Sequence, residues 1–332
     1  MAVAPSWGGP EAFPHRYGAG VRVLEEVFGL NVVEAPHLRH PDDWLARNPE
    51  ARADDINRAF SDPSIRAVIA AIGGEDGIRV LPHLDLAAIR ANPKIVLGYS
   101  DTTALHFACM KAGLGSFHGP SIMSGFAENG GMTEAAVASV RATLFAPVAP
   151  GPLPPADGWA VEHLDWADPA NQDRPRRRHP SSGMATLQGE GRHRGRLIGG
   201  CAEVLEMLKG TEWWPAPDDW DGAILFYETS EEAPSPEQVR RWMRGFAAQG
   251  ILHRVSGLVL GRPGGADQSE SYPAQIRAAV QAELAWAGLE ALPVLADADI
   301  GHTDPILVLP YGRMAAIDCE RAELSLLEAA VT

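Results

Sequence analysis

Along its first half the chain alternates short, β-branched apolar runs with stretches whose apolar positions recur every three or four residues. The runs Ile65 to Ile72 and Ile95 to Tyr99 have the length and content of buried strands, and Asn31-Val32-Val33 reads as a further extended piece. Val21 to Phe28 and Asp54 to Phe60 carry helical spacing. Leu105, Ala108, Cys109 and Ala112 fall at i, i+3, i+4 and i+7, one face of a helix. Such alternation predicts βαβ units and a mostly parallel sheet with flanking helices, an α/β fold. Gly73-Gly74 closes one strand, where the backbone must turn sharply or approach a ligand.

From Pro147 to about Ser182 the periodicity fades. Pro147, Pro150, Pro152, Pro154, Pro155 and Pro169 break helices, so 151–185 reads as a linker between an N-terminal domain over 1–150 and a C-terminal domain over 186–332. Its end is locally basic, with Arg174, Arg176, Arg177, Arg178 and His179. That composition fits either a solvated linker or an anion-binding flap over a site. Beyond it, Leu197-Ile198-Gly199-Gly200, Ala223 to Tyr227, Leu258-Val259-Leu260 and Pro293-Val294-Leu295 are strand-like. Ser235-Pro236-Glu237-Gln238 sets an N-cap serine, a proline at the first helical position and a capping-box glutamine before a helix. Val239, Trp242, Met243 and Phe246 share a face of that helix, and Gly250 ends it. The second domain is expected to be a smaller α/β unit with a mixed sheet.

Composition narrows the partners. Against 28 Lys and Arg stand 43 Asp and Glu, and the net charge of -15 argues against nucleic acid as the main partner. Cys109, Cys201 and Cys319 are far apart, with neither metal-type spacing nor a disulfide framework, which fits a reducing compartment. The N-terminal residues lack the basic and apolar regions of a signal peptide, and no stretch approaches a transmembrane helix. A cytoplasmic protein without a membrane partner is the expectation.

Candidate chemistry centres on Gly98-Tyr99-Ser100-Asp101, between the strand-like Lys94 to Leu97 and the helical run. Ser100 is expected on a sharp strand-to-helix turn, its hydroxyl accessible and helix N–H groups placed to stabilise an oxyanion. The match to the G-x-S-x-G nucleophile elbow is partial, with Thr102 at the second glycine position, and a G-x-S turn is more often structural. A serine hydroxyl needs a base to take its proton, and the base needs a third group to orient it. Of the 11 histidines, His37, His40, His163, His179, His193 and His253 lie in loops, in or beside the linker, or at a helix end. His106 is read as packing, and His118 as intermediate. His302 follows a strand-like run within Asp299-Ile300-Gly301-His302-Thr303-Asp304-Pro305 and is the candidate base. Glu228 ends the run Ile224 to Tyr227, at the carboxyl edge of a buried strand where α/β sheets bind ligands. The competing reading, a helix-start acid, suits Glu231 and Glu232 better. No metal-ligand spacing or phosphate loop is present, and Gly73-Gly74-Glu75-Asp76-Gly77 lacks dinucleotide spacing, so no metal and no cofactor are expected.

Four segments, in order, resemble one family, the serine peptidases that include LD-carboxypeptidases and microcin C self-immunity proteins. They are Ala71 to Asp76, Gly98 to Leu105, Tyr227 to Glu232 and Asp299 to Thr303. Arg196 to Cys201 and Pro234 to Glu237 are similar to it as well. The resemblance implies a Ser100–Glu228–His302 triad and an oxyanion hole from the N–H of Asp101 and one of the Gly73-Gly74 pair, assigned to Gly74. It also implies a homodimer and a small peptide or peptidyl-nucleotide substrate, and substrate contacts are expected at Gly73, Glu75 and Met184. Gly200-Cys201 and Met207 to Pro215 look closer to the microcin-immunity branch, which cleaves the amide between an aminoacyl carbonyl and a modified nucleotide. The alternatives are carboxypeptidase action on murein tetrapeptides and a homologue that binds without catalysis. Members of that branch carry tryptophans just before the second domain, for stacking on adenine. The comparable stretch here, Gly183 to Gly189, has no aromatic, which leaves Met184 to pack on a base and the nearby arginines to meet an anionic group.

Overall fold

The structure is a computed structural model and describes residues 1–265 and 271–332. Strands β1 (Ala2–Val3), β2 (Ala67–Ala70), β3 (Ile95–Gly98) and β4 (Phe117–His118) lie side by side and parallel. The chain then forms β5 (Gly151–Pro152), a ribbon of β6 (Gly158–Trp159) and β7 (His179–Pro180), β8 (Ala185–Gln188) and the long β9 (Arg192–Cys201). After these come β10 (Ile224–Glu228), β11 (Gly257–Gly261), β12 (Val294–Ala298), β13 (Leu309–Pro310), β14 (Met314–Asp318) and β15 (Glu323–Leu326). The first sheet has the order β1-β2-β3-β4-β13 and the second β5-β15-β14-β9-β10-β11-β12-β8. β9 to β12 are parallel, flanked by antiparallel pairings.

This is the α/β architecture that the alternation predicts, a parallel-rich sheet followed by a mixed one. The second sheet, with eight strands against five, is the larger. It gains β5 from the linker, and the last strands fold back along β9. Central strands such as β3 and β10 are buried along nearly their whole length because both faces are covered, as parallel sheets require.

The helix Thr103–Lys111 is buried on every side from Thr103 to Cys109, beyond the single stripe its spacing predicts. It touches β4 of the first sheet and β9 of the second, so it lies at the seam between them. His106 on this helix donates to Gly98 O at 2.9 Å and bonds Ser116 Oγ at 3.0 Å. Burial pushes its pKa down to about 3, so it is a neutral packing residue, as expected. Ser235 caps the helix Pro236–Ala248 by accepting the N–H of Gln238 at 3.2 Å.

Two elements differ from expectation. Asn31 to Val33 form no strand; the edge belongs to Ala2–Val3, which bonds back to Val33 and Ala35. And β13, far along the chain, pairs antiparallel with β4 and so completes the first sheet. The linker is likewise folded rather than free: Ala160 and Asp304 exchange backbone hydrogen bonds of 2.8 and 2.9 Å beside the His302 loop. Among the described residues no helix is long and apolar enough to cross a membrane.

Candidate active site

The loops that follow β2, β3, β10 and β12 at their carboxyl ends meet in one cleft of about 880 Å³. Ser100 stands there on the turn between β3 and the helix Thr103–Lys111, with φ of 58°. A left-handed backbone at a non-glycine residue costs about 1–2 kcal/mol, so the fold holds this turn against its local preference. Strain of this kind marks a nucleophile elbow. Gly73 approaches so closely that a Cβ on it would lie 2.9 Å from Ser100 Oγ and 3.4 Å from Asp101 N. Only glycine admits that approach. Trp7 N–H donates to Gly73 O at 3.2 Å. Because the peptide is trans, the N–H of Gly74 points the opposite way from that carbonyl. Among the described residues, neither this N–H nor that of Asp101 has a protein acceptor.

Glu228 is the last residue of β10, and His302 lies four positions beyond β12. His302 Nδ1 donates to Glu228 Oε2 at 2.7 Å, with both side chains buried. On the other side of the ring, Nε2 lies 3.2 Å from Glu231 Oε2. Burial alone disfavours the imidazolium, but the charge of Glu228 and its hydrogen bond, with Glu231 and Glu203 beyond, outweigh it and raise the His302 pKa to about 9. The Tyr99 ring packs 4.9 Å from the imidazole. His118, intermediate on sequence, is buried and donates through Nε2 to Ile300 O at 2.5 Å. It anchors the loop that carries His302.

A third group adjoins this pair. The Cys201 thiol, a Glu228 oxygen and a His302 nitrogen all lie within 4.8 Å of one another. A cysteine ligates metal as the thiolate. Burial first, then Glu228 and Glu203, push the Cys201 thiol well above its ordinary range, and it donates to Glu203 Oε2 at 3.2 Å. The donor set therefore suits a hydrogen-bonded acid–base pair better than a metal.

One wall of the cleft is aromatic. Trp7, Phe13 and Trp166 form a mutually packed group with ring centroids 5.9 to 6.4 Å apart. The Arg16 guanidinium sits 4.1 Å from the Trp166 centroid and is fixed by Met123 O and Asn129 Oδ1. Trp166 belongs to the linker, which folds over the first domain. The linker thus places a tryptophan in the cleft wall, although Gly183 to Gly189 has none. Its signal was its residue type alone, in a segment without periodicity.

Gly73, Gly74 and Glu75 line the cleft. Met184 is not part of its wall: it precedes β8, which pairs with β12 at the far edge of the second sheet, and packs against the core. Of the linker arginines, Arg176 reaches the cleft, clasping Glu128 with two hydrogen bonds of 2.7 Å and lying 3.9 Å from Asp304. Arg174 pairs with Glu162, and Arg178 donates to Gly158 O. The basic stretch is a strap tied down by internal partners.

Comparisons with known proteins identify the family of the chain. The family model for the LD-carboxypeptidase N-terminal domain matches residues 1–119, and that for the LD-carboxypeptidase C-terminal domain matches residues 194–317. The microcin C7 self-immunity protein MccF of Escherichia coli is 30% identical over 95% of this chain and 88% of its own length. Among solved structures, an MccF-like protein from Streptococcus pneumoniae in complex with AMP superposes with a TM-score of 0.88 at 29% identity, covering 98% of this chain and 97% of that one. MccF in complex with aspartyl sulfamoyl adenosine gives 0.84 at 27% identity, covering 100% and 96%. Both halves of the fold and nearly the whole length are therefore shared, and the chain belongs to the LD-carboxypeptidase family of peptidases, in which MccF-like proteins are its structural neighbours.

Proposed function

We propose that this peptidase hydrolyses an amide through Ser100, His302 and Glu228, and that its leaving group carries a nucleotide. The observation that carries the reading is the buried Glu228–His302 hydrogen bond opening on the same cleft as Ser100 at its left-handed turn. Ser100 Oγ attacks the carbonyl carbon as His302 Nε2 takes its proton, while Glu228 holds the ring and stabilises its charge. The oxyanion is received by the N–H groups of Gly74 and Asp101, each donor worth about 3 kcal/mol in such sites. His302 passes the proton to the leaving nitrogen, and the C–N bond breaks to leave an ester on Ser100. Water, deprotonated by the same ring, then attacks the ester and frees the serine.

The nucleotide part rests on the Trp7–Phe13–Trp166 wall, whose rings offer a base a stacking surface, and on the AMP and aspartyl sulfamoyl adenosine held by related proteins. A second reading, trimming of murein tetrapeptides, is favoured by the family models. It requires a cation for the substrate's terminal carboxylate. The two arginines of the cleft, Arg16 and Arg176, already have protein partners, which favours the first reading.

The deciding experiment incubates wild type and Ser100→Ala with aspartyl sulfamoyl adenosine and, separately, a murein tetrapeptide, followed by mass spectrometry. The expected result is cleavage of the adenosine compound by wild type and a loss of about 10⁴ or more in Ser100→Ala. Cleavage of the tetrapeptide alone would transfer the site to the second reading. Equal turnover by the variant, or none by wild type, would remove the serine mechanism.

A further inference from the structure

The mechanism above uses the backbone of Asp101 and leaves its side chain without a role. That carboxylate is 1% exposed. Its Oδ2 accepts the N–H of Gly77 at 2.6 Å. The Ser6 hydroxyl lies beside it and accepts the N–H of Asp76 at 3.0 Å. Behind stands the buried Arg52, which donates to Pro5 O at 2.8 Å and lies 3.8 Å from Asp76 Oδ2. Three loops therefore meet on one carboxylate: Pro5 to Trp7 after β1, Gly73 to Gly77 after β2, and the elbow after β3.

Burial of a carboxylate is unfavourable unless hydrogen bonds and charge offset it. Here burial raises the Asp101 pKa to about 6, with Ser6, the Gly77 N–H and Arg52 opposing and Asp76 adding to the rise. Its Oδ2 accepts from the loop that carries Gly74, through the N–H of Gly77. An apolar side chain of similar shape would fill this space at lower cost, so what Asp101 adds is the hydrogen bond that fixes that loop.

We propose that the Asp101 side chain is a positioning residue that sets the spacing of the two oxyanion donors. One donor, its own N–H, rides on the elbow. The other, the N–H of Gly74, rides on a loop that the same residue clamps through Gly77, with Ser6 and Asp76 completing the clasp. An oxyanion donor acts only within about 2.7–3.1 Å of the developing charge, so a loose loop weakens transition-state binding more than substrate binding. The inference rests on the oxyanion hole proposed above.

The test compares Asp101→Ala and Asp101→Asn with wild type, reading kcat and KM on aspartyl sulfamoyl adenosine and hydrogen exchange of the amides from Gly74 to Arg79. The alanine variant is expected to lower kcat by about 10²–10³ while KM stays within about twofold. Its loop amides should exchange faster. The asparagine variant, whose amide oxygen still accepts from Gly77, is expected to recover to within about tenfold of wild type, with slow exchange restored.

Wild-type kcat and exchange in Asp101→Ala would overturn the proposal. So would equal losses in both variants with the loop still protected, because the carboxylate would then act by charge alone. Should wild type leave the substrate uncleaved, the functional reading fails separately, and the exchange comparison still decides whether the clamp exists. If Asp101→Ala does not fold, Ser6→Ala takes its place: faster exchange at Asp76 and Gly77 supports the clasp, and unchanged exchange refutes it.

Discussion

His302 Nε2 lies 3.2 Å from Glu231 Oε2, on the opposite side of the ring from the 2.7 Å bond to Glu228. The ring is bracketed by two carboxylates, and an imidazolium so held cannot accept the Ser100 proton.

The pH dependence follows from this bracket. Because the folded pKa of His302 is raised to about 9, kcat/KM is expected to climb with pH towards a midpoint near that value. The stability this charge contributes is fully present below the unfolded value of about 6.5 and is lost as pH rises through about 9. Glu231→Gln should move the limb to lower pH. The movement will be modest, because Glu231 is 73% exposed and its charge is screened, whereas Glu228 is buried. A pH–rate profile with an NMR titration of the ring checks both, and a wild-type midpoint near 6.5 would contradict the bracket.

Glu228 owes its position to glycine at 301. A Cβ there would fall 2.5 Å from Glu228 Oε2 and 2.8 Å from its Cβ. Gly301→Ala is therefore expected to displace the carboxylate, lower the His302 pKa and reduce kcat by about 10²–10⁴, the upper end matching a mis-set base in other triads. Circular dichroism should show the fold intact. Unchanged kcat would mean that the orienting acid is not needed.

Trp166→Ala removes the linker's ring from the aromatic wall. Stacking on a base is worth about 1–3 kcal/mol, so affinity for AMP should drop about 5- to 150-fold by calorimetry. Hydrolysis of an amide without a base should change little. Equal affinity for AMP in variant and wild type would place the nucleotide elsewhere.

Arg176→Ala strips Glu128, 7% exposed, of its two-pronged partner. Leaving a buried charge unpaired costs about 3–5 kcal/mol, which a urea titration would read as a lowered midpoint. The strap between Gly158 and Pro180 should become sensitive to protease at the same time. A midpoint within error of wild type would show that Glu128 finds water or another donor.

The three side chains proposed to react are legible in the sequence because each stands at or just past the end of a short apolar strand, and parallel strands present their carboxyl ends to one crevice. Position along such a strand is a local property. The aromatic wall is not local: Trp166 sits in a proline-broken segment and meets Trp7 only when the linker folds back. The position of Met184 is not local either, since the pairing of β8 with β12 sets it at the outer edge of the second sheet. A strand of two residues such as β1 leaves no period to detect, and the role of the Asp101 carboxylate depends on loops that converge only in the fold.

The pairing of β13 with β4 bears on how the protein is made. As the chain leaves the ribosome, β4 stays an open edge until Leu309 and Pro310 have emerged, because no earlier segment supplies its neighbour. The half that carries the serine is thus unfinished throughout most of translation, exposed to pairing with other chains. Ser100 gains a closed scaffold at nearly the same point of synthesis at which His302 appears, so a product cut short before residue 302 has neither the completed sheet nor that histidine.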